Sequence, residues 1–125
     1  MRNAIETKNA PAAIGNYSQA IKAGNTVYLA AQIPLDPATM TLVEGDMFVQ
    51  ATRVFENIKA VAEASGGTMN HIVKLTVYLT DLTDMAAVNE VIAQYFQKPY
   101  PARTSTQVAA LPKNAILCVE ATMNI

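Results

Sequence analysis

The spacing of apolar residues changes near the middle of this 125-residue chain, and that change constrains the fold more than any other feature. Before Asp46, turn residues divide the sequence into short runs of β-forming side chains. After Asp46, apolar residues recur at helical spacing, at Met47, Ala51, Val54, Phe55, Ile58, Val61 and Ala62. Asp46 suits the N-cap of this helix, and Gly66-Gly67 suits its end. The sequence therefore predicts strands and helices in one fold.

The remaining turn and helix-capping residues predict further strands and a second helix. Gly24-Asn25 has the chemistry of a hairpin turn, and Thr83-Asp84 can cap a helix that ends before Pro101. Five of the predicted strands cover residues 17–23, 26–32, 71–80, 104–111 and 115–123, and a sixth, before the first helix, has no assigned range. The element order β-β-β-α-β-α-β-β implies an α+β fold, a mixed sheet with both helices packed on one face.

The second face of this sheet is expected to be apolar as well. The run from 71 to 80 is too apolar for a strand with one side in water, since it contains Ile72, Val73, Leu75, Val77, Tyr78 and Leu79. Burial against other subunits would remove such a face from water without any further domain. The sequence therefore predicts an oligomer.

Length and charge narrow the class of protein. A chain of 125 residues is one domain, residues 1–125. The formal net charge is −1 and basic residues do not cluster, so no nucleic-acid partner is expected. Cys118 is the only cysteine, which excludes an internal disulfide and a CxxC metal site. The first residues lack a signal-peptide core and no apolar run spans a bilayer, so a soluble cytoplasmic protein without a membrane partner is the expectation.

Arg103 is the strongest candidate for chemistry. It follows Pro99-Tyr100-Pro101, and each X-Pro step restricts the residue before it to extended geometry. A guanidinium on such a rigid support offers a fixed fork of donors, which is the geometry that grips a carboxylate. An ordinary surface arginine is the alternative.

The other polar candidates are less specific. His71 is the only histidine, so neither a metal site nor a hydrolase triad is predicted. Tyr17 follows a Gly-Asn turn. Its ring could pack in a core or interface, or it could contact a ligand, and the sequence leaves both roles open. Cys118 and Glu120 lie two residues apart and share one strand face. For Glu120, a salt bridge to an arginine and a catalytic role are both open.

With these residues in view, the chain resembles the RidA (YjgF) family along essentially its whole length. The segments that carry the resemblance are AIGNYSQA at 13–20, QIPLDP at 32–37, ENIKAV at 56–61, VKLTVYLTD at 73–81, AVNEV at 87–91 and PAR at 101–103. The resemblance implies a chorismate-mutase-like fold and a homotrimer with a β-barrel-like centre and three clefts between subunits.

The resemblance also implies an activity that needs no cofactor. Family members with a matching arginine hydrolyse 2-imino acids and their enamines, such as 2-iminobutanoate and 2-iminopropanoate, to 2-oxo acids and ammonia. In this picture Arg103 clamps the substrate carboxylate, Tyr17 forms a pocket wall, and Asn89 and Ser105 lie close to the substrate.

The chain departs from the family pattern at two places. Ala30-Ala31 stands where the family commonly has Ser-Gly, which removes a hydroxyl near the ligand. Cys118 stands where the family has the glutamate that positions water, and Glu120 matches a second acidic residue. A thiol replaces a carboxylate poorly, although Arg103, if near, would lower its pKa. Two hypotheses follow, a deaminase weakened at these positions and a non-catalytic binder of small 2-oxo or amino acids. A ribonuclease ranks last.

Overall fold

Six strands form one mixed sheet in the computed structural model of the chain, which describes residues 1–125. The strands are β1 (Arg2–Ile5), β2 (Ala20–Ala23), β3 (Thr26–Gln32), β4 (Ile72–Leu79), β5 (Ala102–Gln107) and β6 (Leu117–Asn124), and the helices are α1 (Met47–Ala64) and α2 (Met85–Tyr95). Their spatial order is β1-β2-β3-β6-β4-β5, with β4 and β5 parallel and every other pair antiparallel. The predicted α+β class and element order are confirmed.

Helix α1 has the ends that the sequence predicts. Asp46 Oδ1 accepts a hydrogen bond from the backbone N–H of Val49 at 3.0 Å, which satisfies one of the free donors of the first turn. After the helix, Gly66 has a φ of 93°, a conformation that glycine adopts without steric cost.

The start of α2 lies where the sequence predicts it, but without the expected side-chain cap. Asp84 is the N-cap residue of α2, and its side chain makes no capping hydrogen bond. A short 3₁₀ turn, Leu82–Asp84, leads directly into the helix, and this turn has the side-chain cap: Asp81 Oδ1 accepts from the Thr83 N–H at 2.9 Å.

The expectation of a second apolar sheet face is also wrong. Leu75, Val77 and Leu79 point to the helices and are buried, whereas Thr76 and Tyr78 point the other way and are partly exposed. The pairing register shifts between Ile72 and Lys74, so two buried residues are three positions apart at this irregularity. Because of this shift, the buried residues do not alternate strictly along the sequence, and the strand resembles a continuous apolar run.

The two faces of the sheet therefore differ. The helix face carries the core, in which the buried side chains of β3, β4 and β6 pack against α1 and α2. The opposite face, here called the outer face, includes Tyr28, Lys74, Thr76, Tyr78, Cys118, Glu120 and Thr122 on the three central strands. Neither helix has the length and apolar character needed to cross a membrane.

Candidate active site

Arg103 lies near the start of β5, at an edge of the sheet. Its Nη1 donates a hydrogen bond to Asn89 Oδ1 on α2, at 2.6 Å. Both residues line a surface cavity of about 450 Å³ between α2 and β5, whose walls include Ile92 and Tyr100. The asparagine holds one nitrogen of the guanidinium, and the remaining donors are available for an anion in the cavity.

Ser105 follows on the same face of β5. Arg103 is paired with Leu75 and Ser105 with Val77, so both side chains point to the helix side of the sheet. Ser105 Oγ is buried and has no hydrogen-bond partner. A buried hydroxyl without a partner is uncommon, and here it lies two residues from the arginine that the sequence singles out.

Tyr17 and the Ala30-Ala31 pair lie elsewhere. Tyr17 is 56% exposed and lines a second cavity, of about 730 Å³, beside the N-terminal segment. Ala30 and Ala31 form a bulge in β3, because Leu29 pairs with Ala121 and Gln32 with Val119. The bulge therefore lies opposite Glu120 of β6. The exposure of Tyr17 excludes a role in the core of this chain.

Cys118 is a neutral thiol in this environment. It is 6% exposed on the outer face, and burial, followed by the charge of Glu120, raises the pKa of its thiol to about 11. Within one chain Arg103 does not lower this pKa, because Arg103 is on the helix side of the sheet and Cys118 is on the outer side. At pH 7 the thiol is protonated and cannot accept a proton.

Glu120 is paired with a tyrosine and not with an arginine. Tyr78 donates its hydroxyl proton to Glu120 Oε1 at 2.6 Å, across the β4–β6 ladder. Tyr78 is not among the residues that the sequence suggests for chemistry. A tyrosine within an apolar strand usually has a hydrogen-bond partner for its hydroxyl group. The identity of that partner depends on the register of two strands that are far apart in the sequence.

The structure thus assembles two separate groups of candidate residues. Arg103, Asn89 and Ser105 form the arginine group, at the β5 edge, and Ala30, Ala31, Cys118 and Glu120 form the carboxylate group, on β3 and β6. Tyr17 precedes β2 and lines the larger cavity, apart from both groups. Strand β6 is two steps from β5 in the sheet, about 10 Å at the usual strand spacing, and the two groups face opposite sides of the sheet. Neither of the two cavities described above is lined by both groups.

The only histidine has a structural contact. The Nδ1 atom of His71 accepts a hydrogen bond from the backbone N–H of Thr68 at 2.9 Å, at the short turn Met69–His71. No group of three or more His, Cys, Asp or Glu side chains is arranged to hold a metal ion.

Comparison with known proteins gives consistent results. The family model described as Endoribonuclease L-PSP matches residues 7–125. A RutC family protein of Pyrococcus horikoshii is 50% identical, over 97% of this chain and 96% of its own length. A 2-iminobutanoate/2-iminopropanoate deaminase of Dermatophagoides farinae is 45% identical, over 93% of this chain and 91% of its own length. The crystal structure of RidA from an Antarctic Psychrobacter is 53% identical, with a TM-score of 0.95 over 98% of this chain and 99% of that one.

Proposed function

Because this chain belongs to the RidA family, we propose that it is an imine deaminase, which hydrolyses 2-iminobutanoate and 2-iminopropanoate to the 2-oxo acids and ammonia. The observation that carries the proposal is the Arg103 guanidinium, held by Asn89 at the wall of an open cavity. The relative named as this deaminase is 45% identical to the chain, which supports the same reaction here.

The arginine group supplies binding and orientation. The two carboxylate oxygens of a 2-imino acid match the two parallel donors of Arg103, and Ser105 Oγ is a further polar group on the same strand face. A carboxylate held in this way fixes the adjacent C=N carbon for attack by water. Attack gives a carbinolamine, which releases ammonia as its hydroxyl group becomes the carbonyl of the 2-oxo acid.

We propose further that the complete site forms between copies of the chain, in a homotrimer with a β-barrel-like centre. Arg103 and Ser105 point to the helix side of the sheet, whereas Cys118 and Glu120 point to the outer side, so one chain cannot close the two groups around a small ligand. Light scattering at micromolar concentration should give three times the chain mass of 13.4 kDa. A stable monomer would contradict the assembly.

A coupled assay tests the activity. Threonine dehydratase releases 2-iminobutanoate from threonine, and formation of 2-oxobutanoate is followed with and without this protein. We expect the protein to accelerate the last step at substoichiometric concentration. An unchanged rate, with the dehydratase itself fully active, would contradict the deaminase proposal.

A non-catalytic binder of small 2-oxo or amino acids is the second candidate. The buried Cys118 favours it, because a thiol whose pKa is raised to about 11 does not act as the proton acceptor that hydrolysis uses. Such a binder would bind 2-oxobutanoate through Arg103, as calorimetry would show, but would not change the rate of 2-oxobutanoate formation in the coupled assay.

The family description also names an endoribonuclease, which we do not propose for this chain. The only histidine is bonded to the Thr68 backbone, and the formal net charge of −1 gives no excess of basic residues to bind a phosphate backbone.

A further inference from the structure

The hydrogen bond between Tyr78 and Glu120 places a carboxylate at one defined position on the outer face. Tyr78 donates to Oε1, while the second oxygen, Oε2, accepts no hydrogen bond within the chain. Both side chains are only partly buried, so the hydrogen-bonded pair lies at the surface of the chain. The hydrogen bond, followed by burial, raises the pKa of Tyr78, and the phenol therefore remains a donor at neutral pH.

Glu120 is the only anionic side chain on the outer face of the three central strands. The neighbouring groups on that face are the hydroxyl groups of Tyr28, Thr76, Tyr78 and Thr122 and the neutral thiol of Cys118. The one cation of β4, Lys74, donates its Nζ to Thr104 at 2.9 Å and so has a partner of its own. The carboxylate of Glu120 is thus without a positive partner in the chain.

The charges of the two groups match the two ends of the proposed substrate. A protonated 2-imino acid carries an anionic carboxylate next to a cationic nitrogen. The arginine group, with Arg103, suits the carboxylate end, and the carboxylate group, opposite the Ala30-Ala31 bulge, contains an anion for the other end. Each group alone satisfies one charge of the ligand.

We infer that Glu120, positioned by Tyr78, faces the nitrogen end of the substrate and accepts the proton of the attacking water, in place of a carboxylate at position 118. This inference rests on the proposed deaminase function and on the assembly of the two groups between copies of the chain. Glu120 is the catalytic residue in this account, and Tyr78 is a positioning residue that acts through it.

The proton transfers balance as follows. The water oxygen bonds to the C=N carbon, one water proton moves to Glu120, and the π electrons of the C=N bond move to nitrogen, which becomes an amine. Glu120 then returns the proton to this amine, the C–N bond breaks, and ammonia leaves. The oxygen forms the C=O bond and its remaining proton goes to ammonia, so that the products are a 2-oxo acid and an ammonium ion.

Kinetics of three variants in the coupled assay test the assignment. Glu120→Gln should lower kcat about a hundredfold, because it removes the proton acceptor and keeps an oxygen that Tyr78 can still bind. Tyr78→Phe should lower kcat about tenfold with little change in KM, because the carboxylate remains but loses its fixed position. Tyr28→Phe is the matched control, since Tyr28 lies on the same face, is 55% exposed and makes no side-chain hydrogen bond, and it should leave kcat unchanged.

A double variant separates positioning from a structural role. If Tyr78 acts only through Glu120, the Tyr78→Phe/Glu120→Gln protein is no slower than Glu120→Gln alone. Independent structural damage would instead multiply the two losses, and that result would overturn the role given to Tyr78. Thermal unfolding of each variant checks that the fold is retained, and Glu120→Ala, which also lacks the carboxylate, replaces Glu120→Gln if the latter does not fold.

The binding of two stable ligands tests the placement of Glu120 without a catalytic assay. Calorimetry with 2-aminobutanoate, which has a cationic nitrogen, and 2-oxobutanoate, which has none, compares the wild type with Glu120→Gln. We expect about tenfold weaker binding of 2-aminobutanoate and unchanged binding of 2-oxobutanoate. Equal effects on both ligands, or none, would overturn the assignment of Glu120.

The two proposals fail in different ways. An active wild type whose Glu120→Gln and Tyr78→Phe variants keep full kcat overturns the inference and leaves the deaminase function standing. An inactive wild type that loses affinity for 2-aminobutanoate alone on Glu120→Gln overturns the deaminase and supports the placement of Glu120. A wild type that binds neither ligand overturns both.

Discussion

Replacement of Arg103 by lysine is expected to weaken the binding of 2-oxobutanoate by about ten- to a hundredfold. The guanidinium donates two parallel hydrogen bonds to a carboxylate, and an ammonium group keeps the charge but cannot reproduce this geometry. Lysine would also lose the contact that the Arg103 Nη1 atom makes with Asn89 Oδ1. Isothermal titration of both proteins with 2-oxobutanoate measures the difference.

Arg2→Lys provides the matched control for this experiment. Arg2 is an exposed arginine on β1, its side chain makes no hydrogen bond, and it lines neither cavity that contains candidate residues. The same change of functional group there should leave the affinity unaltered. If Arg103→Lys binds 2-oxobutanoate as tightly as the wild type, the carboxylate clamp is not Arg103.

Phe55→Ala is expected to lower the free energy of unfolding by about 3–5 kcal/mol. Phe55 is fully buried on α1, and its ring lies 5.7 Å from that of Tyr95 and 6.0 Å from that of Phe96. Truncation removes these contacts and leaves a cavity where α1 meets the end of α2. Urea denaturation at one fixed protein concentration measures the loss, since oligomers are stabilised by concentration.

Phe48→Ala on the same helix tests whether burial causes this loss. Phe48 is 37% exposed, near the first turn of α1. The same truncation should cost less than about 1 kcal/mol there, because little apolar area leaves a packed environment. Similar losses for the two variants would show that burial in the aromatic cluster is not the cause of the loss at Phe55, since the helix propensity of alanine exceeds that of phenylalanine at both positions.

The elements that the sequence predicts well are those specified by neighbouring residues. Helix α1 depends on apolar side chains at helical spacing, an aspartate before it and a glycine after it, and all are local features. The hairpin between β2 and β3 likewise follows from Gly24-Asn25. The contact between Arg103 and Asn89 was expected only in outline, from the family resemblance.

Contacts across the sheet were predicted poorly, because they depend on register. One shift in pairing between Ile72 and Lys74 makes β4 an alternating strand, so the outer face is polar and not apolar. The Tyr78–Glu120 hydrogen bond spans 42 residues of sequence. Neither residue identifies the other until β4 and β6 are aligned.

The sequence by itself determined the α+β class, the order of the elements and Arg103 as the strongest candidate for chemistry. Periodicity, turn residues and prolines encode these features within a few neighbouring residues. Only the tertiary structure decided that Arg103 and Cys118 face opposite sides of the sheet and that Tyr17 and Arg103 line different cavities. These facts depend on the order and register of strands distant in sequence, because hydrogen-bonded pairing and side-chain alternation are properties of the assembled sheet.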